Sequence, residues 1–327
     1  MNVKRTASCV LAACGILLLI LDGPKALAGA GDGIELCIKT VIPALFPFFL
    51  FSNVLIGALW CQRIPCLYRL GRLFSLPEGG ESILIPAFLG GYPAGAGSIA
   101  NLYYSASLKR ETAEKMLAFC NNAGPSFLFG MIAPAFCEKE AVWFLWGSQI
   151  LGALTASRII SPVGRRDIVE IRATTQTLSE AMNKALRAIA GVCGWVILFR
   201  MLLSFSAPLL SRIRSPEARV LIVGLLELSN GCCMLSDIPN PGWRLMIANT
   251  MLSLGGICVS MQTASTAGKL SLRYYFMGKA IQAAVSICLS IVAIWNKRFL
   301  LLILLPVCGY FVLKNQKNSS VPKRVGV

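Results

Sequence analysis

The sequence predicts an all-α polytopic membrane protein with about eight transmembrane helices, two re-entrant hairpins and an inverted repeat containing broken helices. Three observations carry this. Of the 327 residues, 56% are hydrophobic and 14% charged, with a mean hydropathy of +0.68, whereas a soluble domain carries about 25% charged residues. Apolar runs recur that approach the roughly 20 residues needed to cross a bilayer. Two of these runs contain segments that cannot be continuous helix, Gly90-Gly91-Tyr92-Pro93-Ala94-Gly95-Ala96-Gly97 and Cys120-Asn121-Asn122-Ala123-Gly124-Pro125. Glycine loosens the backbone and proline removes a donor. The freed peptide groups are tolerated at membrane depth only when buried in protein or facing a polar cavity.

Residues 1–33 form an N-terminal segment. Lys4-Arg5, the apolar run Ser8–Leu21 and Ala26-Leu27-Ala28 fit either a cleaved signal peptide or an uncleaved first helix, and both put residue 29 outside. Residues 34–160 form the first repeat. Ile34–Trp60 returns to a loop with Arg63, Arg69 and Arg72, and Ser82–Tyr104 enters, turns at the glycine run and leaves on the same side. Lys115–Phe136 then crosses outward with a break at Gly124-Pro125, and Ala141–Ile160 comes back. Residues 161–187 are a cytoplasmic basic linker carrying Arg165, Arg166, Arg172, Lys184 and Arg187.

Residues 188–296 repeat this plan. Ala188–Leu210 corresponds to Ile34–Trp60, and Val220–Leu235, turning at Leu228-Ser229-Asn230-Gly231, corresponds to the first hairpin. Trp243–Ala267, broken at Gly255-Gly256, matches Lys115–Phe136, and Tyr274–Trp295 matches Ala141–Ile160. Each unit makes an odd number of crossings, so the second is inverted relative to the first. Residues 297–327 add a last helix, Phe299–Leu313, and a basic tail, leaving both termini cytoplasmic. Arg212, Arg214 and Arg219 fall outside in this scheme, against the charge bias.

The net charge of +16 is spread through loops between apolar runs. It points to lipid headgroups and positive-inside orientation, with no nucleic-acid partner. Thirteen cysteines occur without a Cys-x-x-Cys and without any histidine, so metal binding is not expected and most cysteines act as small hydrophobes. No Gly-x-Ser-x-Gly, Walker motif or acidic metal cluster is present, so no enzyme, catalytic residue or cofactor is expected.

The polar residues at the breaks are the candidate substrate site. In the first unit they are Gly91, Tyr92, Pro93 and Gly95 at the hairpin, then Asn121, Asn122, Gly124 and Pro125. A half-helix starting at Gly124-Pro125 would aim free N–H groups at the cavity, which suits a small anionic solute. In the second unit they are Glu227, Ser229 and Asn230, then Gly256, Ser260, Gln262 and Ser265, with Thr263 beside them. Glu227 is an ionisable group inside an apolar run, which marks function by default. Arg200 is the candidate counter-ion. It snorkels outward, pairs with Glu227 or neutralises the solute. Gly57 and Gly152 are assigned to helix packing.

These segments resemble the sporulation integral membrane protein family called YlbJ (also SpoVV), whose members carry a nucleoside-recognition or Gate domain. The resemblance rests on Ile42-Pro43-Ala44-Leu45-Phe46-Pro47-Phe48, Gly91-Tyr92-Pro93-x-Gly95-Ala96 and Cys120-Asn121-x-x-Gly124-Pro125-x-Phe127-x-x-Gly130. It continues in Leu226-Glu227-Leu228-x-x-Gly231 and Gly255-Gly256-x-x-Val259-x-x-Gln262-x-x-Ser265, so it covers roughly residues 34–295. It implies a protein of the outer forespore membrane that moves dipicolinic acid toward the forespore. Two other readings stand beside it: a carrier of nucleosides or other small solutes, and a non-transporting scaffold for other sporulation membrane proteins. No acidic residue lies in the first hairpin, unlike a cation-coupled nucleoside carrier, and no GTPase segment is present.

Overall fold

A computed structural model describes residues 3–59, 64–160 and 177–296, and every regular element among them is helical. Trp60, Arg63, most of the basic linker (161–176), the last helix Phe299–Leu313 and the basic tail lie outside the described residues.

The first half opens with α1 (Val3–Leu21) and α2 (Gly23–Leu36), which runs through a π-helical turn at Cys37–Val41 into α3 (Ile42–Leu59). The wide turn has a local cause. Pro43 has no N–H, and the Ile42 N–H instead reaches back to the Cys37 carbonyl. After α4 (Pro65–Leu73), a 3₁₀ turn at Glu81–Ile83 and a π turn at Pro86–Gly90 lead to the break at Gly91, Tyr92 and Pro93, where the Tyr92–Pro93 peptide is cis. Next come α5 (Ala94–Tyr104), α6 (Arg110–Met116), an unwound stretch over 117–124, and a half-helix made of α7 (Pro125–Phe127), a π turn to Ile132 and a 3₁₀ turn to Ala135. Helix α8 (Lys139–Ile160) closes this half.

The second half begins with α9 (Leu178–Leu210), started by a reciprocal capping box between Thr177 and Glu180. Helix α10 (Pro216–Leu226) is capped by the Ser215 hydroxyl and has proline in its first turn. It ends at Glu227, and the short α11 (Leu228–Cys233) follows. Asn240 caps α12 (Pro241–Leu254), and Gly255, in the left-handed region at φ 74°, separates it from α13 (Gly256–Ala267). Helix α14 (Arg273–Trp295) is the last one described.

Among the described residues, four helical stretches are long and apolar enough to cross a membrane: Gly23–Leu55, Leu178–Leu210, Pro241–Ala267 and Arg273–Trp295. Ala12–Leu21, Glu81–Gly90 and Pro125–Ala135 are apolar but shorter. Helix α8 has 22 residues, and its Ser148, Gln149 and Ser157 are turned inward. Side chains such as Leu27, Ile38, Phe51, Leu186, Leu202 and Ile291 remain exposed on the outer faces, as lipid-facing residues do.

Of the elements expected to correspond between the halves, α3 packs on α9 and α8 on α14. Helix α2 also lies along α9. Small residues set the α2–α9 contact: a Cβ at Gly33 would sit 2.8 Å from the Ile197 Cα, and one at Gly29 would meet the Ser204 hydroxyl. Between α8 and α14, a Cβ at Gly152 would stand 3.3 Å from the Gln282 Cα, in keeping with its assignment to packing. Leu45, Leu128, Val196, Leu228, Met251 and Val259 meet in a core that draws on both halves.

Three sequence boundaries differ from the structure. The division at 33/34 falls inside α2, and the linker's end at 187 falls inside α9, whose capping box starts the helix ten residues earlier than the apolar run suggests. The second hairpin turns at Glu227 rather than at Leu228–Gly231. The Glu227 carboxylate accepts the Ser229 and Asn230 N–H groups at 3.0 and 2.7 Å, which makes 228–231 the first turn of α11.

Candidate functional site

The breaks of each half meet through glycine. In the first, Gly91 (φ 73°) abuts Gly124, and a Cβ on Gly124 would stand 2.8 Å from the Gly91 nitrogen. In the second, a Cβ on Gly256 (φ 73°) would stand 2.9 Å from the carbonyls of both Gly224 and Leu225. Only a residue without a side chain combines positive φ with such backbone approach. The hairpin break therefore touches the helix break in both units, by the same device.

Between these joints lies a cavity of about 30 Å³. Its walls include Leu45 and Phe49 of α3, Gly91 and Tyr92, Ser126 and Phe127 of the half-helix, Val192 and Val196 of α9, Glu227 and Ser229, and Val259 and Gln262 of α13. The starts of the half-helix and α11 and the inward face of α13 all contribute. Of the sequence candidates, Gly91, Tyr92, Glu227, Ser229 and Gln262 line it together. Tyr92 is buried and its hydroxyl donates to the Leu252 carbonyl at 2.5 Å, which ties the first hairpin to α12. The Gln262 amide nitrogen reaches the Cys258 sulfur at 3.4 Å, a weak acceptor.

Other candidates hold the joints rather than the cavity wall. The Asn121 amide donates to the Thr263 hydroxyl at 2.8 Å, linking the two helix breaks, and its side-chain oxygen has no hydrogen-bond partner. The Asn122 amide donates to the Phe119 carbonyl at 2.7 Å and stabilises its own loop. Gly124 and Pro125 start the half-helix, Pro93 precedes α5, and Gly95 packs so closely that a Cβ would overlap the Cys120 carbonyl. Ser260 returns its hydroxyl to the Gly256 carbonyl at 2.8 Å. Ser265 is exposed: α13 turns Val259, Gln262 and Thr263 inward at helical spacing and points Ser265 away.

Arg200 does not pair with Glu227. One guanidinium nitrogen meets Asp32 of α2 at 3.3 Å, and another donates to Asn230 Oδ1 at 2.9 Å. The Asn230 amide donates in turn to the Glu227 carboxylate at 2.7 Å, so the arginine touches the buried acid through one intervening side chain.

One buried charge escaped the sequence reading. Lys279 of α14 is 2% exposed, donates to the Asn121 carbonyl at 2.7 Å and Gln282 Oε1 at 3.2 Å, and lies 5.2 Å from the centre of the Tyr92 ring. The rule that singled out Glu227, an ionisable residue inside an apolar run, applies equally to Lys279 in Tyr274–Trp295.

No family model matches the chain, and no solved structure matches it. Among curated proteins, the chain is similar to the sporulation integral membrane protein YlbJ of Bacillus subtilis (strain 168), with 23% identity over 346 residues that cover 90% of this chain and 85% of that protein.

Proposed function

We propose that this chain is a sporulation membrane carrier for a small organic anion, with dipicolinic acid moved toward the forespore as the substrate. The observation that carries the reading is the convergence of break residues from both halves, Gly91 and Tyr92 with Glu227, Ser229 and Gln262, on one cavity. Carriers built from inverted repeats place their sites where broken helices meet. The half-helix brings its start, Ser126 and Phe127, to the wall, an end that favours negative charge, and Lys279 and Arg200 stand behind the wall. The likeness to a sporulation membrane protein over most of the chain supports the cellular setting. The choice of dipicolinate rests on the family resemblance of the break motifs.

A cavity of about 30 Å³ holds a water molecule rather than an aromatic dianion, so this is a closed form that must open to load. The glycine joints are the places that can part, because backbone-to-backbone contact has no interlocked side chains. Uptake of labelled dipicolinate into vesicles containing the pure protein tests the reading. Accumulation above empty vesicles, reduced by excess unlabelled dipicolinate, is the expected result. Competition by nucleosides instead would favour the nucleoside carrier, and no uptake alongside capture of sporulation membrane partners would favour the scaffold.

A further inference from the structure

We propose that the junction between the two halves is a cation site filled by the protein's own Lys279, so that the carrier works without a sodium ion. The consequence for transport rests on the carrier reading above, but the site itself rests on geometry.

Broken-helix carriers hold a coupling cation with carbonyls of unwound backbone. Here the unwound stretch 117–124 presents such a carbonyl, that of Asn121, to Lys279 Nζ at 2.7 Å. Gln282 supplies a second oxygen at 3.2 Å. Its orientation is set chemically, because its amide nitrogen donates to the Ala118 carbonyl at 2.9 Å and leaves only the oxygen for the ammonium. The ring centres of Tyr92 and Tyr275 stand 5.2 and 5.8 Å from Nζ, within the range of cation–π attraction. Two oxygens and two ring faces make a donor set for a small cation.

Among the described residues, no carboxylate forms an ion pair with Lys279. Dipoles and π faces balance the charge, as they would for a bound metal ion. The tether crosses the molecule: the cation arrives on α14 of the second half, whereas Asn121 and Tyr92 belong to the two breaks of the first. The close fit of α14 keeps it there, since a Cβ on Gly278, next to Lys279, would overlap the Ala118 carbonyl.

Lys279→Ala empties this site while leaving its oxygens and rings. For the wild type, replacing sodium by choline should change neither dipicolinate uptake nor the unfolding temperature of the purified protein in detergent. For Lys279→Ala, uptake should fall about tenfold or more, the loss expected when hydrogen bonds to a charged group disappear, and the unfolding temperature should drop. Ethylammonium, which matches the deleted group, should restore both in part, and choline should not. Lys279→Met keeps the bulk of the stem, so ethylammonium should leave it unchanged. Wild-type uptake that requires sodium would overturn the proposal. So would wild-type values for Lys279→Ala, or an equal response of wild type and Lys279→Ala to ethylammonium. Should Lys279→Ala fail to accumulate, Gln282→Ala is read in its place: a lower unfolding temperature supports the site and an unchanged one contradicts it. If the wild type takes up no dipicolinate, the carrier reading fails, and the unfolding comparison still decides the cation site.

Discussion

Among the polar side chains that lie deep in the described helices, two groups differ in where their hydrogen bonds end. Along α8, α12 and α14 the bonds close on one another, apart from a Gln149 Oε1 left without a partner. The Asn249 amide donates to Ser148 at 2.8 Å, to the Ser286 carbonyl at 3.0 Å and to Ser290 at 3.0 Å. Gln149 donates to Ser253 at 2.8 Å, and the Ser253 and Ser286 hydroxyls hydrogen-bond to each other at 2.6 Å. Around the cavity, by contrast, the Glu227 carboxylate is taken up by the start of its own helix, and the Gln262 amide finds only a thiol. Polarity within a membrane helix does not by itself mark a site. A closed set of partners joins helices, and an open one is where the proposed solute site is sought.

Asn249→Leu should break the closed set and have the largest effect on stability. Several donors and acceptors lose their partner at once, so the expected loss is about 1–3 kcal/mol, seen as a lower unfolding temperature. Uptake per folded molecule should stay at the wild-type value, and a selective loss of uptake would erase the contrast between the two regions. Gln262→Leu should do the reverse. Dipicolinate uptake should fall about tenfold, the effect of roughly 1.4 kcal/mol, with the unfolding temperature held, because the amide gives up only a weak contact to sulfur. Full uptake in this variant would remove α13 from the site. Ser265→Ala should have the smallest effect and leave both measurements unchanged, since the hydroxyl points away from the cavity. A transport defect there would mean that the wall extends to the outer face of α13.

Much of the candidate site's cavity lining was legible because its elements break local rules. Glycine and proline in apolar runs announced the joints at Gly91, Gly124 and Gly256, and Glu227 announced itself by charge. Hydropathy placed helix material well but edges poorly. The start of α9 is set by the Thr177–Glu180 capping box, and the second turn by the Glu227 side chain, features that an apolar count does not weigh. What could not be read was which partner each polar group would choose. Arg200 could reach several acids, and only the packing of α2 against α9 gives it Asp32. Ser265 and Gln262 belong to the same short helix, and the direction of its inward face follows from tertiary contacts alone.

The closed joints also bear on how the molecule would behave electrically. A space of about 30 Å³ admits little more than a water molecule at the junction. A junction this narrow should pass no ions, and a planar bilayer containing the protein should show no unitary currents under an applied voltage. If the chain carries a small anion as proposed above, that property matters as much as the route itself, because any standing conductance would dissipate the gradient being built.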